Sequence, residues 1–252
     1  MLPSPKAEKR SLPKEEHGVT VQETYTVTIP VKTASTSARV CISKGSVVDF
    51  DGDAIVNAAN RGGLGGGGVD GAVNSRGGPE LQEARRQLPV LNEYGDRIPT
   101  GEAKITVGGA LPAKWVIHAV GPIYWEAEGD DFSKSDMLLA KAYASSLQVA
   151  QQKDLKSLGF ALLSAGIFRG ERPLANIMEI ACQAVKDNVY EGLEDVHLIA
   201  FTEAEEEELF HVVSRNRGLH WEACCKTRLH LSRRHTGSRK QLLRLALSFW
   251  VN

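Results

Sequence analysis

A run of glycines bounded by two carboxamides and a carboxylate is the part of the sequence best suited to chemistry. Six of the seven residues at positions 62–68 are glycine, with Asn57 and Asn60 before them and Asp70 after them. The apolar residues 54–56 predict a strand before this run, and the residues after it predict a helix. A glycine-rich turn between a strand and a helix lets backbone N–H groups approach a phosphate. Because polar side chains flank the glycines directly, the segment indicates a binding site for a phosphate-containing ligand rather than a flexible linker.

The same segment does not match the best-known nucleotide-binding motifs. No Lys followed by Ser or Thr comes after Gly68, so the pattern of the P-loop NTPases fails. A G-x-G-x-x-G spacing can be fitted through so many glycines, but for that reason it carries little weight. The sequence therefore argues against a Walker-type NTPase.

A second glycine turn follows another predicted strand, at 157–163. The turn consists of Ser164, Ala165, Gly166, Ile167 and Phe168. By itself it would be interpreted as a plain connection between a strand and a helix. Together, two such turns on one sheet could hold a pyrophosphate from both sides.

Alternating strands and helices must position these turns. Hydrophobic patterns predict strands at 19–31, 38–43, 54–56, 103–107, 115–120, 157–163 and 196–201. They predict helices at 69–74, 80–88, 136–153, 173–190 and 203–217. Strands that alternate with helices of this length are typical of an α/β fold with a sheet buried on both faces.

Composition and charge divide the 252 residues into three zones. A fraction of 42% apolar and 24% charged residues is that of an ordinary globular protein, and a net charge of −1 gives no reason for whole-chain steering toward nucleic acid. Residues 1–18 are polar and proline-containing and are predicted to be a disordered leader. The folded domain is predicted at 19–220. A tail at 221–252 holds seven Lys and Arg residues against one acid, so weak, salt-dependent contact with polyanions is expected there.

The remaining patterns exclude several classes. No apolar run approaches a membrane span, and the N-terminal residues contain acids and no apolar core, so no membrane association and no signal peptide are predicted. We expect an intracellular protein, in the cytoplasm, the nucleus or both. The four cysteines include no C-x-x-C pair, and no metal site is predicted. The tight ligand spacing of a zinc site is absent among the histidines and cysteines toward the C-terminus, which are His220, Cys224, Cys225, His230 and His235.

Taken together, the motifs resemble those of the macrodomain family, an ADP-ribose-binding module, and within it the MacroD-type hydrolases. The resemblance is carried by residues 53–71, 100–106, 111–122 and 164–168 and extends over about 43–217. It implies a three-layer α/β/α sandwich around a mixed central sheet, with ADP-ribose in a cleft above the strand ends. It implies no cofactor. We expect a monomer whose partners are ADP-ribose or ADP-ribosylated proteins.

The resemblance also assigns roles to residues. Asn60 and Asp70 would be catalytic: Asn60 would bind the hydroxyls of the distal ribose, and Asp70 would orient or activate water near the anomeric carbon. Phe168 would place its ring against that ribose, and Phe201 would offer an aromatic ring to adenine. The further ligand-binding residues would be Ser46, Val47, Asn57, Gly67, Gly68, Val69, Ser164, Ala165, Gly166 and Ile167.

Three departures from the family pattern have consequences. Ser46 stands where the family usually has an Asp that accepts from the adenine amino group, so weaker base recognition is expected. Residues 169–172 lengthen the segment after Phe168 and add charge to it, which bears on the choice of substrate. The segment 89–99 is also longer than the link that the family usually has at this place.

Two functions follow from this reading. The first is hydrolysis of the ester between ADP-ribose and a carboxylate, in mono-ADP-ribosylated Asp or Glu or in O-acetyl-ADP-ribose. The second is a non-catalytic reader of ADP-ribose or of mono-ADP-ribosylated proteins. Two other polar residues, His118 and Tyr143, lie in apolar patterns and are predicted to be packing residues, and the acidic run 205–208 is predicted to be a solvated first helical turn.

Overall fold

The structure is a computed structural model of the chain and describes residues 21–30, 37–127, 129 and 131–215. The predicted leader at 1–18 and the predicted basic tail at 221–252 lie outside these residues. Among the described residues, no helix is long and apolar enough to cross a membrane.

A mixed seven-stranded sheet forms the centre of the described fold. The strands are β1 (Gln22–Pro30), β2 (Ser37–Lys44), β3 (Ala54–Ala58), β4 (Ala103–Val107), β5 (Trp115–Ala119), β6 (Ser157–Ala161) and β7 (Asp195–Ala200). Their order is β1-β2-β7-β6-β3-β5-β4, with the five inner strands parallel and the two edge strands antiparallel to their neighbours. The expected mixed sheet is confirmed.

Helices cover both faces of this sheet. They are α1 (Gly68–Arg86), α2 (Ser133–Gln151), α3 (Leu174–Asn188) and α4 (Glu203–Arg215). One apolar core joins the sheet to α2, α3 and α4, and a second core on the opposite face contains Ile55 of β3 and Val73 and Leu81 of α1. The fold is therefore the expected three-layer α/β/α sandwich.

One residue of the acidic run 205–208 caps the start of α4 in addition to being partly exposed to solvent. The Glu205 carboxylate accepts hydrogen bonds from the backbone N–H groups of Phe201 and Thr202, each at 2.9 Å. In return, the N–H of Glu205 donates to the Thr202 hydroxyl at 3.2 Å. This reciprocal pair is a capping box, which fixes the chain as it leaves β7.

Helix α1 differs from the two separate helices predicted at 69–74 and 80–88. It extends from Gly68 to Arg86, but Gly78 within it has φ +69° and ψ −164°, which lie outside the helical region. Pro79 begins the second half, as a proline at a first helical position does. The predicted break is thus present as a sharp kink within α1.

The parallel strands bring the predicted site residues to one edge. Five strands, β2, β7, β6, β3 and β5, run in the same direction and therefore end at the same edge of the sheet. The segments that follow them contain, in that order, Ser46, Phe201, residues 164–168, residues 59–68 and residues 120–123. Ligands of α/β proteins bind at such an edge, outside the carboxyl ends of the strands.

Candidate functional site

The glycine-rich turn leaves an open surface at the start of α1. Gly66, Gly67 and Gly68 are exposed, and a Cβ atom added at Gly67 or Gly68 would meet no atom within 4 Å. Gly68 has φ +58°, a conformation that glycine adopts without strain. The first-turn N–H groups of a helix have no intrahelical partner, so this surface offers donors to an anion.

The carboxamide of Asn60 holds this turn in shape. Its Nδ2 atom donates to the carbonyl of Gly65 at 2.9 Å, and its Oδ1 atom accepts from the N–H of Gly63 at 3.2 Å. The same Nδ2 atom lies 3.5 Å from Oδ2 of Asp70. The two residues predicted to be catalytic are therefore neighbours at the end of β3.

Asp70 is nearly buried, with 3% of its surface exposed. Its Oδ1 atom accepts two strong hydrogen bonds, from Nδ2 of Asn57 at 2.7 Å and from Nη2 of Arg85 at 2.8 Å. Its Oδ2 atom faces Asn60 and the turn, since a Cβ at Gly66 would lie 3.3 Å from it. One carboxylate oxygen is thus fully used by the protein, and the other is directed toward the glycine turn.

Arg85 is the site residue that the sequence analysis missed. Its side chain is fully buried, and its Nε atom donates to the carbonyl of Gly63 at 2.5 Å. In a straight helix, Asp70 and Arg85 would lie about 22 Å apart, because they are 15 residues apart. The kink at Gly78 brings them into contact. The sequence signal for this contact was a helix break between two residues of opposite charge.

His118 contacts Asn57, one of the two residues that donate to Oδ1 of Asp70. Its Nδ1 atom lies 3.2 Å from Nδ2 of Asn57, and its Nε2 atom lies 2.9 Å from Oγ1 of Thr106. Complete burial lowers the pKa of His118 well below its ordinary value, so the imidazole is neutral and can accept from Asn57. His118 is buried, as a packing residue would be, but it also orients Asn57. Asn57 has no exposed surface and reaches Asp70 rather than the open cleft.

The second turn is held by side chains from neighbouring elements. Ser164 is buried with φ +54°, and its hydroxyl donates to the carbonyl of Pro122 at 2.8 Å. The hydroxyl of Tyr143, predicted as a packing residue, accepts from the N–H of Leu163 at 3.0 Å. Beyond this anchored part, Gly166 and Ile167 are exposed and Phe168 is half-buried. The turn therefore has a fixed base and an accessible tip.

The charged segment after Phe168 is tied to α2. Arg172 forms an ion pair with Asp136 at 2.6 Å, and its guanidinium lies 5.0 Å from the ring centroid of Phe132. Arg169 donates to the backbone carbonyl of Arg172 at 2.8 Å. Hydrogen bonds and an ion pair therefore hold the segment that follows Phe168 in place.

A cavity of about 810 Å³ opens beside the two turns. Asn60, Phe168 and the first turns of α2 are among the parts of the chain that line it. Further lining residues are Arg61, Thr100, Pro122, Glu126 and Lys134.

The opposite end of the cleft holds the residues predicted to face adenine. Ser46 is half-buried and precedes a 3₁₀ turn at Val47–Asp49, where its hydroxyl makes no capping hydrogen bond. Phe201 is 74% exposed just after β7. The N–H of Gly45 donates to the carbonyl of Ala200 at 3.0 Å, which brings the two segments side by side.

One group in the described part of the chain has the side chains of a metal site. Ligand atoms of Glu23, Cys41 and His197, on β1, β2 and β7, lie within 4.8 Å of one another. The Nδ1 atom of His197 is 2.9 Å from the hydroxyl of Ser43. No local sequence pattern points to this group, because its members are far apart in sequence and meet only through strand pairing. The tail residues considered for zinc lie outside the described residues.

Known proteins resemble this chain in sequence and in fold. A family model described as Macro domain matches residues 56–177. An O-acetyl-ADP-ribose deacetylase of Escherichia fergusonii is 42% identical over 150 residues, 60% of this chain and 80% of that relative. An Oceanobacillus iheyensis macrodomain with MES bound has a TM-score of 0.66 at 29% identity, covering 77% of this chain and 97% of that one. A Trypanosoma brucei macrodomain in complex with ADP-ribose has a TM-score of 0.57 at 33% identity, covering 69% and 68%.

Proposed function

We propose, because the chain belongs to the macro domain family, that its cleft binds ADP-ribose and that it hydrolyses ADP-ribosyl esters. The substrates would be mono-ADP-ribosylated Asp or Glu side chains, O-acetyl-ADP-ribose, or both. Binding is supported by the Trypanosoma brucei relative, which was solved in complex with ADP-ribose. Hydrolysis of the acetyl ester is supported by the name of the Escherichia fergusonii relative.

The observation that carries the proposal is the pairing of Asn60 with Asp70 beside the glycine turn. Departure of a carboxylate from the anomeric carbon builds positive charge on the ribose, which a nearby carboxylate stabilises. The Oδ2 atom of Asp70 faces the turn and is a suitable acceptor for an attacking water. Asn60 offers its carboxamide to the ribose hydroxyls from the adjoining position.

The rest of the cleft fits the remainder of ADP-ribose. The exposed N–H groups at the start of α1 and the tip at 166–168 suit the two phosphates from opposite sides. Ser46 and Phe201 lie at the far end of the same edge, where the base would be placed. The cavity beside Asn60 and Phe168 leaves room for whatever the distal ribose carries.

Two measurements test the proposal. Titration calorimetry with ADP-ribose measures binding, and a release assay on a mono-ADP-ribosylated protein and on O-acetyl-ADP-ribose measures hydrolysis. Saturable binding with release of ADP-ribose or acetate supports the hydrolase. Absence of binding refutes both functions.

A non-catalytic reader is the second candidate, and the burial of Asp70 favours it. With 3% of its surface exposed and Oδ1 used by two donors, Asp70 also serves as a structural anion. Binding of ADP-ribose without turnover of either ester would establish the reader.

Ser46→Asp is expected to tighten ADP-ribose binding several-fold. A carboxylate accepts a stronger hydrogen bond than a hydroxyl, by about 1 kcal/mol in a half-buried position. Titration calorimetry with ADP-ribose measures the gain, and ribose 5-phosphate, which lacks the base, is the control ligand whose affinity stays unchanged. Weaker binding of ADP-ribose by the variant would mean that another residue contacts the adenine.

Deleting residues 222–252 is expected to leave ADP-ribose affinity nearly unchanged. The deleted segment contains none of the proposed site residues. Titration calorimetry on the shortened chain measures the affinity, and circular dichroism shows whether it folds. Loss of folding would show that the tail packs on the domain.

A further inference from the structure

Two bonds of Arg85 join the two parts of the proposed catalytic pair. Its Nη2 atom donates to Oδ1 of Asp70 at 2.8 Å, and its Nε atom donates to the carbonyl of Gly63 at 2.5 Å. Gly63 belongs to the turn that Asn60 shapes through its own hydrogen bond to the Gly63 N–H. One buried guanidinium therefore links the carboxylate to the turn that carries the carboxamide.

The stability of a buried ion pair does not account for this arrangement. Arg85 is fully buried, and its Nη1 atom has no hydrogen-bond partner among the residues that the structure describes. Burying a charged group with an unsatisfied donor is costly, and apolar residues of similar size are often as stabilising as a buried pair. The guanidinium fixes the orientation of the groups that it binds, because its donors lie in one rigid plane.

The orientation matters because the two carboxylate oxygens of Asp70 are not equivalent. Oδ1 receives both Asn57 and Arg85, whereas Oδ2 is left facing Asn60 at 3.5 Å. If Arg85 were lost, Asn57 would be the one donor to Oδ1, and the long hydrogen bond from Asn60 at 3.5 Å would be the one to Oδ2. These two bonds restrain rotation of the carboxylate less than three do. A small misplacement of a catalytic group is enough to lower a rate substantially.

We infer that Arg85 is a positioning residue for the proposed hydrolysis, which this inference takes as its basis. It fixes Oδ1 of Asp70 and so presents Oδ2 beside Asn60, toward the ribose. Arg85 itself contacts neither substrate nor water in this role, since it has no exposed surface.

The test compares Arg85→Met with Arg97→Met. Arg97 is a matched control because it donates to the carbonyl of Gly62, in the same turn, at 3.2 Å but makes no bond to Asp70. Arg85→Met is expected to lower kcat for ester hydrolysis at least tenfold, because misplacing a catalytic group by 1 Å can cost about a hundredfold. The affinity for ADP-ribose is expected to change by less than about threefold. Arg97→Met is expected to change kcat by less than about threefold. Equal losses of kcat in the two variants would overturn the inference, because anchoring of the turn would then explain both.

A double-mutant cycle shows whether Arg85 acts through Asp70. In an Asp70→Asn background, adding Arg85→Met is expected to change kcat by less than about threefold, because residues that act as a unit are not additive. Multiplicative losses would contradict the inference. Arg85→Lys, which can reach Asp70 or Gly63 but not both in the same geometry, is expected to restore part of kcat.

A crystal structure of the folded variant provides a readout independent of activity. Melting temperatures are measured first, and Arg85→Leu, which also lacks a donor for Asp70, is used if Arg85→Met does not fold. The Asp70 carboxylate is expected to rotate, so that Oδ2 moves away from Asn60. An unrotated carboxylate would overturn the inference, whether or not the wild-type protein hydrolyses esters. If the carboxylate rotates but the wild-type protein binds ADP-ribose without hydrolysing esters, only the hydrolase function is refuted.

Discussion

Replacing Asp70 with Asn is expected to lower ester hydrolysis about a hundredfold or more, while ADP-ribose affinity changes by less than about tenfold. The asparagine keeps an oxygen that can accept from Asn57 and Arg85 at the Oδ1 position. At the Oδ2 position it places an NH₂ group, which cannot accept a proton or a hydrogen bond from water. The variant therefore removes an interaction needed in the transition state more than in the bound ground state. Single-turnover release of ADP-ribose and titration calorimetry measure the two quantities.

Asn60→Ala provides the contrast for this prediction. Its carboxamide holds the turn through Gly63 and Gly65 and would bind the ribose in the ground state and the transition state alike. Affinity and rate should therefore fall together. If Asp70→Asn turned over at the wild-type rate, the catalytic assignment of Asp70 would be wrong although the family assignment would stand.

Replacing Asp70 with Ala is expected to lower the free energy of unfolding by about 3–5 kcal/mol. This variant leaves the guanidinium of Arg85 buried without its anion, in a place where it has no exposed surface. Breaking a buried pair by removing one partner is strongly destabilising, because the remaining charge is uncompensated. Chemical denaturation measures the loss. It also means that a fall in activity of Asp70→Ala reports on folding as well as on catalysis. Asp70→Asn removes the same charge but keeps an oxygen that accepts from Asn57 and Arg85, so it is used for the rate, with its melting temperature measured first.

Two further variants isolate the cause of this loss. Adding Arg85→Met to Asp70→Ala removes the uncompensated charge, so the double variant should be more stable than Asp70→Ala alone. Glu194→Ala breaks the ion pair with Lys156, in which both side chains are more than 60% exposed, and should cost less than about 1 kcal/mol. If Glu194→Ala cost as much as Asp70→Ala, burial would not be the reason.

The elements with the clearest local signals could be predicted from the sequence. Strand β4 lies at the predicted residues, 103–107, because alternating apolar residues are followed by two glycines. The end of β3 and the start of α1 were also predictable, since the glycine run separates a buried strand from a helix. The neighbourhood of Asn60 and Asp70 follows from these two boundaries, because the residues belong to one short connection.

What the sequence could not supply depends on contacts between distant positions. Arg85, near the end of a helix, has the local pattern of a solvated cation that complements the helix dipole. It is buried instead, because the kink in α1 directs it back to Asp70. The role of His118 likewise depends on its pairing with Asn57 across two neighbouring strands, which no local pattern shows.

The kink at Gly78 means that the geometry of the proposed catalytic pair depends on a backbone torsion outside the residues that line the cavity. A Cβ atom at Gly78 would find open space, with its nearest contact at 4.0 Å, so crowding is not what requires glycine there. The requirement is the φ of +69°, which other residues adopt only with strain. A residue that touches no part of the cleft is thus as much a determinant of the Asp70–Arg85 contact as the two charged side chains themselves. Comparisons between relatives that consider only the residues lining the cleft will overlook Gly78, the position on which the buried contact between Asp70 and Arg85 depends.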